Sequence, residues 1–321
     1  MRLLQFCNIA NVVGGTGACG WTITRCFPDW DHGMYFRSGR NPSLETMQAF
    51  EGCHVFLNHT TPDEAIGQFK PDVIIFHNTP ETIFPQALPV GVISIFYQHS
   101  GLKEFKTTRE RCDVAFCVSD YLAEITGFDK RFVLYQPVPL APHSRVIGRV
   151  RGLVGRICTP NAGKWKSDDV LPVYRILSET HPELTYEFVG APESIQSELW
   201  DLFGERVSFV DPSWKARERF NAWDMMLYST SVSETYGRTV CEAQRAGCVP
   251  IVTKLGGFIE QIKHGVDGFL CESIGDFDRA VTSVMNGRLS RERMIERADS
   301  RGALRVFRDS ILKTLEVIAG G

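Results

Sequence analysis

The chain alternates short apolar runs with longer segments that mix apolar and polar positions. Several of the short runs are apolar throughout, which is typical of parallel strands that are buried on both faces. Such strands are predicted over 2–7, 34–37, 73–77, 91–97, 114–118 and 131–134, and in a second series over 152–155, 185–189, 207–209, 225–227, 249–253 and 268–271. Segments of helical length lie between them, for example 168–180 and 238–246. This alternation predicts an α/β protein with parallel sheets.

The two series of strands predict two domains. Three prolines lie within residues 136–143, and proline restricts its own backbone and that of the residue before it. We therefore place a stiff linker there, with one domain over 1–143 and a second over 144–303. We expect residues 304–321 to form a C-terminal helix that packs back on the first domain.

Composition excludes several classes of protein. The 35 Lys and Arg residues nearly balance 38 Asp and Glu residues, so a nucleic-acid binder with a strongly basic surface is not expected. No apolar run approaches the roughly 20 residues that a membrane-spanning helix needs, and the N-terminal apolar stretch is too short for a signal peptide. The ten cysteines include no Cys-x-x-Cys pair. Free cysteines among apolar neighbours indicate a reducing, cytoplasmic setting.

Arginine is frequent between residues 288 and 308, and Arg293, Arg297, Arg301 and Arg305 recur on one face of a helix. A solvated helix is the favoured interpretation. Peripheral contact with an anionic membrane surface, or with an anionic acceptor, is the alternative. Gly302 interrupts the helix and weakens that alternative.

A glycine-rich stretch over residues 14–20 contains the pattern G-x-G-x-x-G after a strand and before a predicted helix. In the dinucleotide-binding fold the first glycine follows the strand directly, and an acidic residue binds the ribose. Here the first glycine comes later, and the next strand ends near Arg37 and Arg40. An NADPH-dependent oxidoreductase is therefore one alternative. A flexible loop at Gly14 and Gly15, close to a phosphate or a sugar, fits better.

The most informative segment spans residues 233–250. Gly237 permits a tight turn at the start of a helix, and the first free N–H groups of that helix make an anion site. Glu234 precedes the helix and Glu242 lies two turns inside it. Carboxylates suit hydroxyl groups better than phosphate. A ligand with phosphate in the middle and hydroxyls at both ends is a nucleotide sugar, whereas an ordinary helix with an acidic cap is the alternative.

No metal site is predicted. Asp29 and Asp31 match a D-x-D pattern, but a pattern this short recurs by chance and a solvated turn is favoured. The eight histidines include no H-E-x-x-H pattern and no pair close in the sequence.

Residues 233–250 resemble the E-x7-E motif of the retaining GT-B glycosyltransferases of family 4, known as group 1. The resemblance extends from about residue 1 to 285. It is supported by Gly155-Arg156, Gly256-Gly257, residues 264–270, Gly14-Gly15, His99 and Val118-Ser119. The chain departs from the family in being short, and in replacing a Lys-Gly element by a longer loop over residues 157–166.

This resemblance implies two Rossmann-like domains whose parallel sheets face a central cleft, with a nucleoside-diphosphate sugar held mainly by the second domain. By the same resemblance the catalytic residues are Glu234, which holds donor-sugar hydroxyls, His99, which touches the sugar, and Arg156 and Lys164, which neutralise the departing diphosphate. Lys166 is the alternative to Lys164. The donor-binding residues are Gly14, Gly15, Tyr236, Gly237, Arg238, Thr239 and Glu242.

The resemblance also implies metal-independent, hexosyl-type transfer with retention of configuration and no cofactor beyond the donor substrate. It assigns no acceptor, which is a saccharide, a lipid-linked glycan or a small molecule. The remaining alternatives are a sugar phosphorylase, a nucleotide-sugar epimerase and a non-catalytic GT-B module.

Overall fold

The computed structural model describes residues 1–37, 42–57, 59–129, 132–140 and 148–320. The chain divides into two compact units, Met1–Val138 with Gly302–Gly321, and Pro139–Arg301. The sequence predicted boundaries after residues 143 and 303, whereas the two units divide after Val138 and after Arg301. The predicted linker over 136–143 lies partly outside the described residues.

The first unit contains a parallel six-stranded sheet in the order β3-β2-β1-β4-β5-β6. Its strands are β1 (Arg2–Cys7), β2 (Asp31–Phe36), β3 (His54–Phe56), β4 (Val73–His77), β5 (Ile93–Gln98) and β6 (Val114–Cys117). Its helices before residue 138 are α1 (Gly15–Cys26), α2 (Leu44–Ala49), α3 (Pro62–Phe69), α4 (Lys106–Glu110) and α5 (Asp120–Thr126). This is the strand order of the Rossmann fold.

The second unit has a parallel sheet in the order β12-β11-β10-β7-β8-β9, the same topology read from the other side. Its strands are β7 (Val150–Ile157), β8 (Thr185–Val189), β9 (Val207–Val210), β10 (Trp223–Tyr228), β11 (Val249–Thr253) and β12 (Phe269–Cys271). Its helices are α6 (Ser167–Thr180), α7 (Glu193–Phe203), α8 (Arg238–Arg245), α9 (Phe258–Gln261), α10 (Ile274–Met285) and α11 (Arg291–Gly302).

Strand β10 shows why these runs are apolar at successive positions. Met225 and Leu227 pack into one apolar cluster, whereas Met226 and Tyr228 pack into another. Successive side chains of a strand point to opposite faces of its sheet, so both faces of this strand are covered. The predicted parallel α/β architecture is confirmed.

The helix α12 (Leu304–Ala319) belongs to the first unit, where it packs on α1. It buries Phe307, Ile311 and Leu315, which recur every four residues on one face. The Phe307 ring lies 5.8 Å from that of Tyr97, between centroids. The backbone N–H of Val138 donates to the carbonyl of Gly302 over 2.9 Å. The chain leaves this unit after Val138 and returns at Gly302, so the two points lie side by side.

At two places the sequence and the structure differ over whether a strand forms. Residues 54–56 form β3, which the sequence missed because the strand is short and only partly buried. No strand forms over the described part of 131–134, where Val133 makes a single bridge to Cys117, and Arg131 lies outside the described residues. One bridge fixes a chain segment beside a sheet edge without extending the ladder.

Strand β2 carries a buried histidine whose protonation opposes folding. The Nε2 atom of His32 lies 2.8 Å from the carbonyl of Phe27, so Nε2 carries the proton. Its Nδ1 atom is buried and has no hydrogen-bond partner among the described residues. Burial is the main cause that lowers the pKa of His32 below its ordinary value, and nearby Arg25 adds to it.

We expect His32 to make the protein less stable in mild acid. The unfolded chain takes up a proton below about pH 6.5, whereas folded His32 resists it, so the free energy of unfolding falls as the pH drops through that value. Urea unfolding of the parent and of His32→Gln at pH 8 and pH 5 tests this, because a glutamine amide can still donate to Phe27. The parent should lose more stability between the two pH values than the variant, and equal losses would contradict the role of His32.

Candidate active site

The predicted residues of the second unit meet at the carboxyl ends of β7 and β10. These neighbouring strands lie at the centre of the sheet, where the strand order reverses. Ligands of open α/β sheets bind at such switch points. Arg156 lies near the end of β7, and the loop after it carries Lys164. The loop after β10 carries Glu234.

Arg156 is fully buried. Its guanidinium lies between the rings of Trp165 and Tyr228, at 4.7 and 4.5 Å from their centroids. It donates to the carbonyl of Ser229 over 3.0 Å and to that of Lys164 over 2.7 Å. Arg156 therefore joins the two loops that follow β7 and β10. Direct contact between Arg156 and a diphosphate stays a prediction.

Lys164 and Glu234 form an ion pair, with Nζ 2.5 Å from Oε1. Their side chains are 28% and 20% exposed, so the pair is reachable from solvent while its position is fixed by the surrounding loops. The Lys166 ammonium lies 3.5 Å from the hydroxyl of Ser231. Of the two lysines that the sequence left open, Lys164 is the one that contacts Glu234.

The hydroxyl of Tyr228 lies 3.3 Å from the same Oε1 atom of Glu234. Burial, followed by the charges of Cys158 and Glu234, raises the pKa of Tyr228 far above its ordinary value. The hydroxyl therefore stays protonated and donates to the carboxylate. Sequence reasoning missed Tyr228, which reads as one more core residue of an apolar strand.

Helix α8 begins beside this ion pair. Gly237 precedes its first residue with φ +79°, a left-handed conformation that favours glycine. A Cβ atom there would lie 2.3 Å from the ring of Phe258. The predicted donor-binding residues Tyr236, Arg238 and Thr239 flank Gly237. The left-handed backbone of Gly237 therefore sets the direction in which the N–H groups of the first turn point.

Gly257 and Gln261 donate hydrogen bonds to the backbone just before α8. The N–H of Gly257 donates to the carbonyl of Glu234 over 2.8 Å, and a Cβ atom on Gly257 would lie 2.6 Å from the carbonyl of Thr235. The buried amide of Gln261 donates to the carbonyl of Tyr236. Sequence reasoning missed Gln261, because a single amide in a short helix carries no pattern.

Glu242 lies one turn beyond Arg238 on the same face of α8. The Arg238 Nε atom lies 3.6 Å from Oε1 of Glu242, and the Arg238 side chain is 7% exposed. A buried arginine thus holds the Glu242 carboxylate toward the N-terminal end of the helix. The predicted contact of Glu242 with a ribose stays a prediction.

His99 lies in the first unit, directly after β5, within a chain of hydrogen bonds. Its Nε2 is 2.9 Å from Nδ1 of His77, and its Nδ1 is 2.6 Å from Nε2 of Gln136. Nε2 of His77 is 3.0 Å from Oε1 of Gln5, whose amide group donates to the carbonyl of Gly20. One set of proton positions satisfies every member: the Nε2 atom of each histidine carries the proton and each Nδ1 accepts.

This chain fixes the ring of His99 from both sides. Burial lowers the pKa of His77 to about 3, so that ring is neutral. No pattern in the sequence indicates that His77 and His99 meet, since they are 22 residues apart. They meet because β4 and β5 are neighbours that end at the same edge of the sheet. Contact between His99 and a sugar stays a prediction.

Gly14 and Gly15 lie where α1 starts, with Gly14 as the residue before its first turn. The first N–H groups of α1 have no partner within the helix, and its first turn holds no acidic residue. These groups are suited to an anion or to sugar oxygens. Arg37 is exposed, and Arg40, which the dinucleotide alternative also needs, lies outside the described residues.

Two of the four arginines on the predicted face, Arg297 and Arg301, make contacts within the protein. Arg297 pairs with the fully buried Asp267 over 2.6 Å, and Arg301 donates to the side chain of Gln244 over 2.9 Å. These contacts favour a structural role for the face over contact with a membrane. Among the described residues, no helix has the length and apolar character that crossing a membrane requires.

Comparison with known proteins finds relatives of part of the second unit. Residues 165–301 match the family model of the glycosyl transferases group 1, a stretch that includes Glu234, Gly237 and Glu242. The N-acetyl-alpha-D-glucosaminyl L-malate synthase of Bacillus anthracis is 35% identical over 97 residues, which are 29% of this chain. The match spans 25% of the length of that relative.

Solved structures resemble the chain over nearly its whole length. HepE from Anabaena, solved in complex with UDP-glucose, has a TM-score of 0.73 at 17% identity, covering 99% of this chain and 100% of that chain. Sucrose-phosphate synthase from Thermosynechococcus elongatus has a TM-score of 0.70 at 12% identity, covering 100% of both chains. At such identities the likeness shows the fold. Residues 165–301 therefore match the group 1 glycosyltransferases, and the two α/β units of the chain have the GT-B fold.

Proposed function

We propose that this protein is a retaining glycosyltransferase that moves a hexosyl group from a nucleoside-diphosphate sugar to an acceptor, without a metal ion at the diphosphate. The observation that carries the proposal is the ion pair of Lys164 and Glu234 beside the start of α8. It puts a cation, a carboxylate and the first turn of a helix at one switch point. A nucleotide sugar offers an anion and hydroxyl groups to these partners.

The chemistry is stabilisation of a leaving group. The bond between the anomeric carbon and the diphosphate breaks, and the diphosphate gains negative charge as it departs. A fixed cation and oriented N–H groups stabilise that charge more in the transition state than in the ground state. Lys164 supplies a half-buried cation that solvent can reach. Arg156 holds the carbonyl of Lys164 and contributes its own charge from the buried side.

Glu234 and Glu242 bind hydroxyl groups at the two ends of the donor in this proposal. Glu234 takes the donor sugar, and Glu242 takes the ribose. The acceptor oxygen attacks on the face that the diphosphate leaves, and a departing phosphate oxygen takes the acceptor proton. Configuration is then retained without a covalent bond to Glu234.

In the first unit, we assign to His99 a contact with the donor sugar. Gly14 and Gly15 approach the phosphate or the acceptor through their backbone. The acceptor is a saccharide, a lipid-linked glycan or a small molecule. A lipid-linked glycan as acceptor implies peripheral membrane contact. The internal contacts of Arg297 and Arg301 do not favour such contact.

UDP is the first nucleotide to test. HepE was solved with UDP-glucose, and the pneumococcal O-GlcNAc transferase GtfA with UDP and GlcNAc. Calorimetric titration of the full chain in EDTA with UDP, GDP, ADP and NADPH is the experiment. We expect saturable binding of UDP. Absence of binding by every nucleoside diphosphate contradicts the proposal, and binding of NADPH alone favours the oxidoreductase.

The two lysines provide matched variants for the same titration. Lys164→Gln should weaken the binding of UDP about tenfold, the effect of one charge-assisted hydrogen bond of about 1.4 kcal/mol. Lys166→Gln, which changes a neighbouring and more exposed lysine, should leave the affinity near that of the parent. The opposite order would assign the diphosphate contact to Lys166.

A further inference from the structure

We propose that Cys19, His77 and His99 form a binding site for a soft divalent metal ion such as Zn²⁺. This site lies within the first unit, and it includes His99, to which the proposed function assigns a contact with the donor sugar. The proposal does not depend on the proposed transfer reaction.

Geometry is the first support. One ligand atom from each residue, a thiol sulfur and two imidazole nitrogens, lies within 4.8 Å of the others. His77 ends β4, His99 follows β5, and Cys19 lies in α1. Neighbouring strand ends and a helix that packs over them hold the three side chains on separate, regular elements. Metal ligands placed on such elements are precisely oriented.

The ligand types select the metal. A thiol and two imidazoles suit Zn²⁺, whereas Mg²⁺ and Ca²⁺ prefer oxygen ligands, and the group contains no carboxylate. Three protein ligands leave one position of a tetrahedral ion for water or another small ligand. Cys19 and His77 are fully buried and His99 is 6% exposed, so a metal ion reaches the group from the side of His99.

The surroundings also resemble those of a metal site. A metal-bound histidine is usually oriented by a hydrogen bond from its other ring nitrogen. Nε2 of His77 donates to Gln5, which leaves the lone pair of Nδ1 directed at His99. Gln136 stands in the same position behind His99.

Binding requires a defined rearrangement of protons. The Cys19 thiol loses its proton to solvent, and a sulfur–metal bond forms. The proton on Nε2 of His99 moves to Nδ1, and the amide of Gln136 turns so that its oxygen accepts it. The nitrogens of the two rings, now 2.9 Å apart, separate by a few tenths of an ångström, because zinc–nitrogen bonds of about 2.0 Å place tetrahedral ligands about 3.3 Å apart.

Cobalt is a suitable probe, because tetrahedral Co²⁺ absorbs visible light and a cobalt–thiolate bond adds a charge-transfer band in the near ultraviolet. The full chain is reduced, freed of metal and titrated with Co²⁺, followed by Zn²⁺. We expect both absorption features to rise to a limit at one Co²⁺ per chain, and Zn²⁺ to remove them. Absence of the charge-transfer band in the parent protein overturns the proposal.

The variants locate the site. Cys19→Ser should abolish the charge-transfer band, and His77→Gln should weaken Co²⁺ binding at least tenfold. Cys26→Ser is the matched control, because Cys26 is a buried thiol of the same helix outside the group, and it should change neither. Circular dichroism checks that each variant is folded. If Cys19→Ser is not folded, the parent and His77→Gln decide. A band that persists in folded Cys19→Ser, or parental binding by His77→Gln, overturns the proposal.

Discussion

Glu234→Gln is expected to remove most transferase activity while UDP still binds. Glutamine keeps the size of the side chain but loses the charge that pairs with Lys164, and it offers sugar hydroxyls a weaker acceptor. The turnover number should fall about 100-fold or more, the effect of losing one preorganised electrostatic contact in an active site. The diphosphate does not depend on this carboxylate, so the affinity for UDP should change little.

Turnover of UDP-glucose and calorimetry with UDP measure the two quantities separately. The chain offers a matched control in Lys254 and Glu272, an exposed pair of the same kind in the same unit. Glu272→Gln should keep parental turnover and affinity. Parental turnover in Glu234→Gln would remove Glu234 from the mechanism.

Replacement of Arg156 by alanine is expected to lower both stability and donor affinity. The change leaves the carbonyls of Ser229 and Lys164 without their buried donor and removes a cation from between two aromatic rings. The free energy of unfolding should fall by about 3 kcal/mol, a typical cost for the loss of buried charge-assisted hydrogen bonds. Because the loop of Lys164 is no longer held, UDP should bind at least tenfold more weakly.

Arg206 separates the two effects. It also donates to two carbonyls, those of Pro182 and Leu184, and lies over the ring of Phe203. These contacts are at the amino ends of β8 and β9, the edge of the sheet opposite the active site. Arg206→Ala should therefore lower the stability and leave the affinity for UDP unchanged. Parental affinity in Arg156→Ala would show that neither Arg156 nor the loop it holds contributes to binding.

The sequence predicts most of the strands, but not all of their ends. Strands β1, β4, β8 and β11 begin and end at the predicted residues, whereas β7 and β10, the central strands of the second sheet, extend beyond their predicted ends. β3 has only three partly buried residues, so tertiary pairing rather than pattern determines it. At 131–134 an apolar run predicted a strand. The described part of this run makes a single bridge, between Val133 and Cys117 of β6.

The active site also contains residues that the sequence predicts and residues that it does not. Glu234, Gly237 and Glu242 are recognisable because their spacing is local. The choice between Lys164 and Lys166 depends on how the loop after β7 turns, and a helical turn over Ala162–Lys164 decides it. The approach of His77 to His99 depends on which strands are neighbours. No single-sequence pattern contains that information.

The packing of α12 on the first unit has a consequence for how the protein folds during synthesis on the ribosome. The second unit is one unbroken stretch of chain, whereas the first is complete only when residues 304–319 have been added. Phe307 from that last helix packs on Tyr97, whose ring lies 4.6 Å from that of His99. The half that is synthesised first is therefore the half that is finished last, and the surroundings of His99 are completed only as α12 emerges.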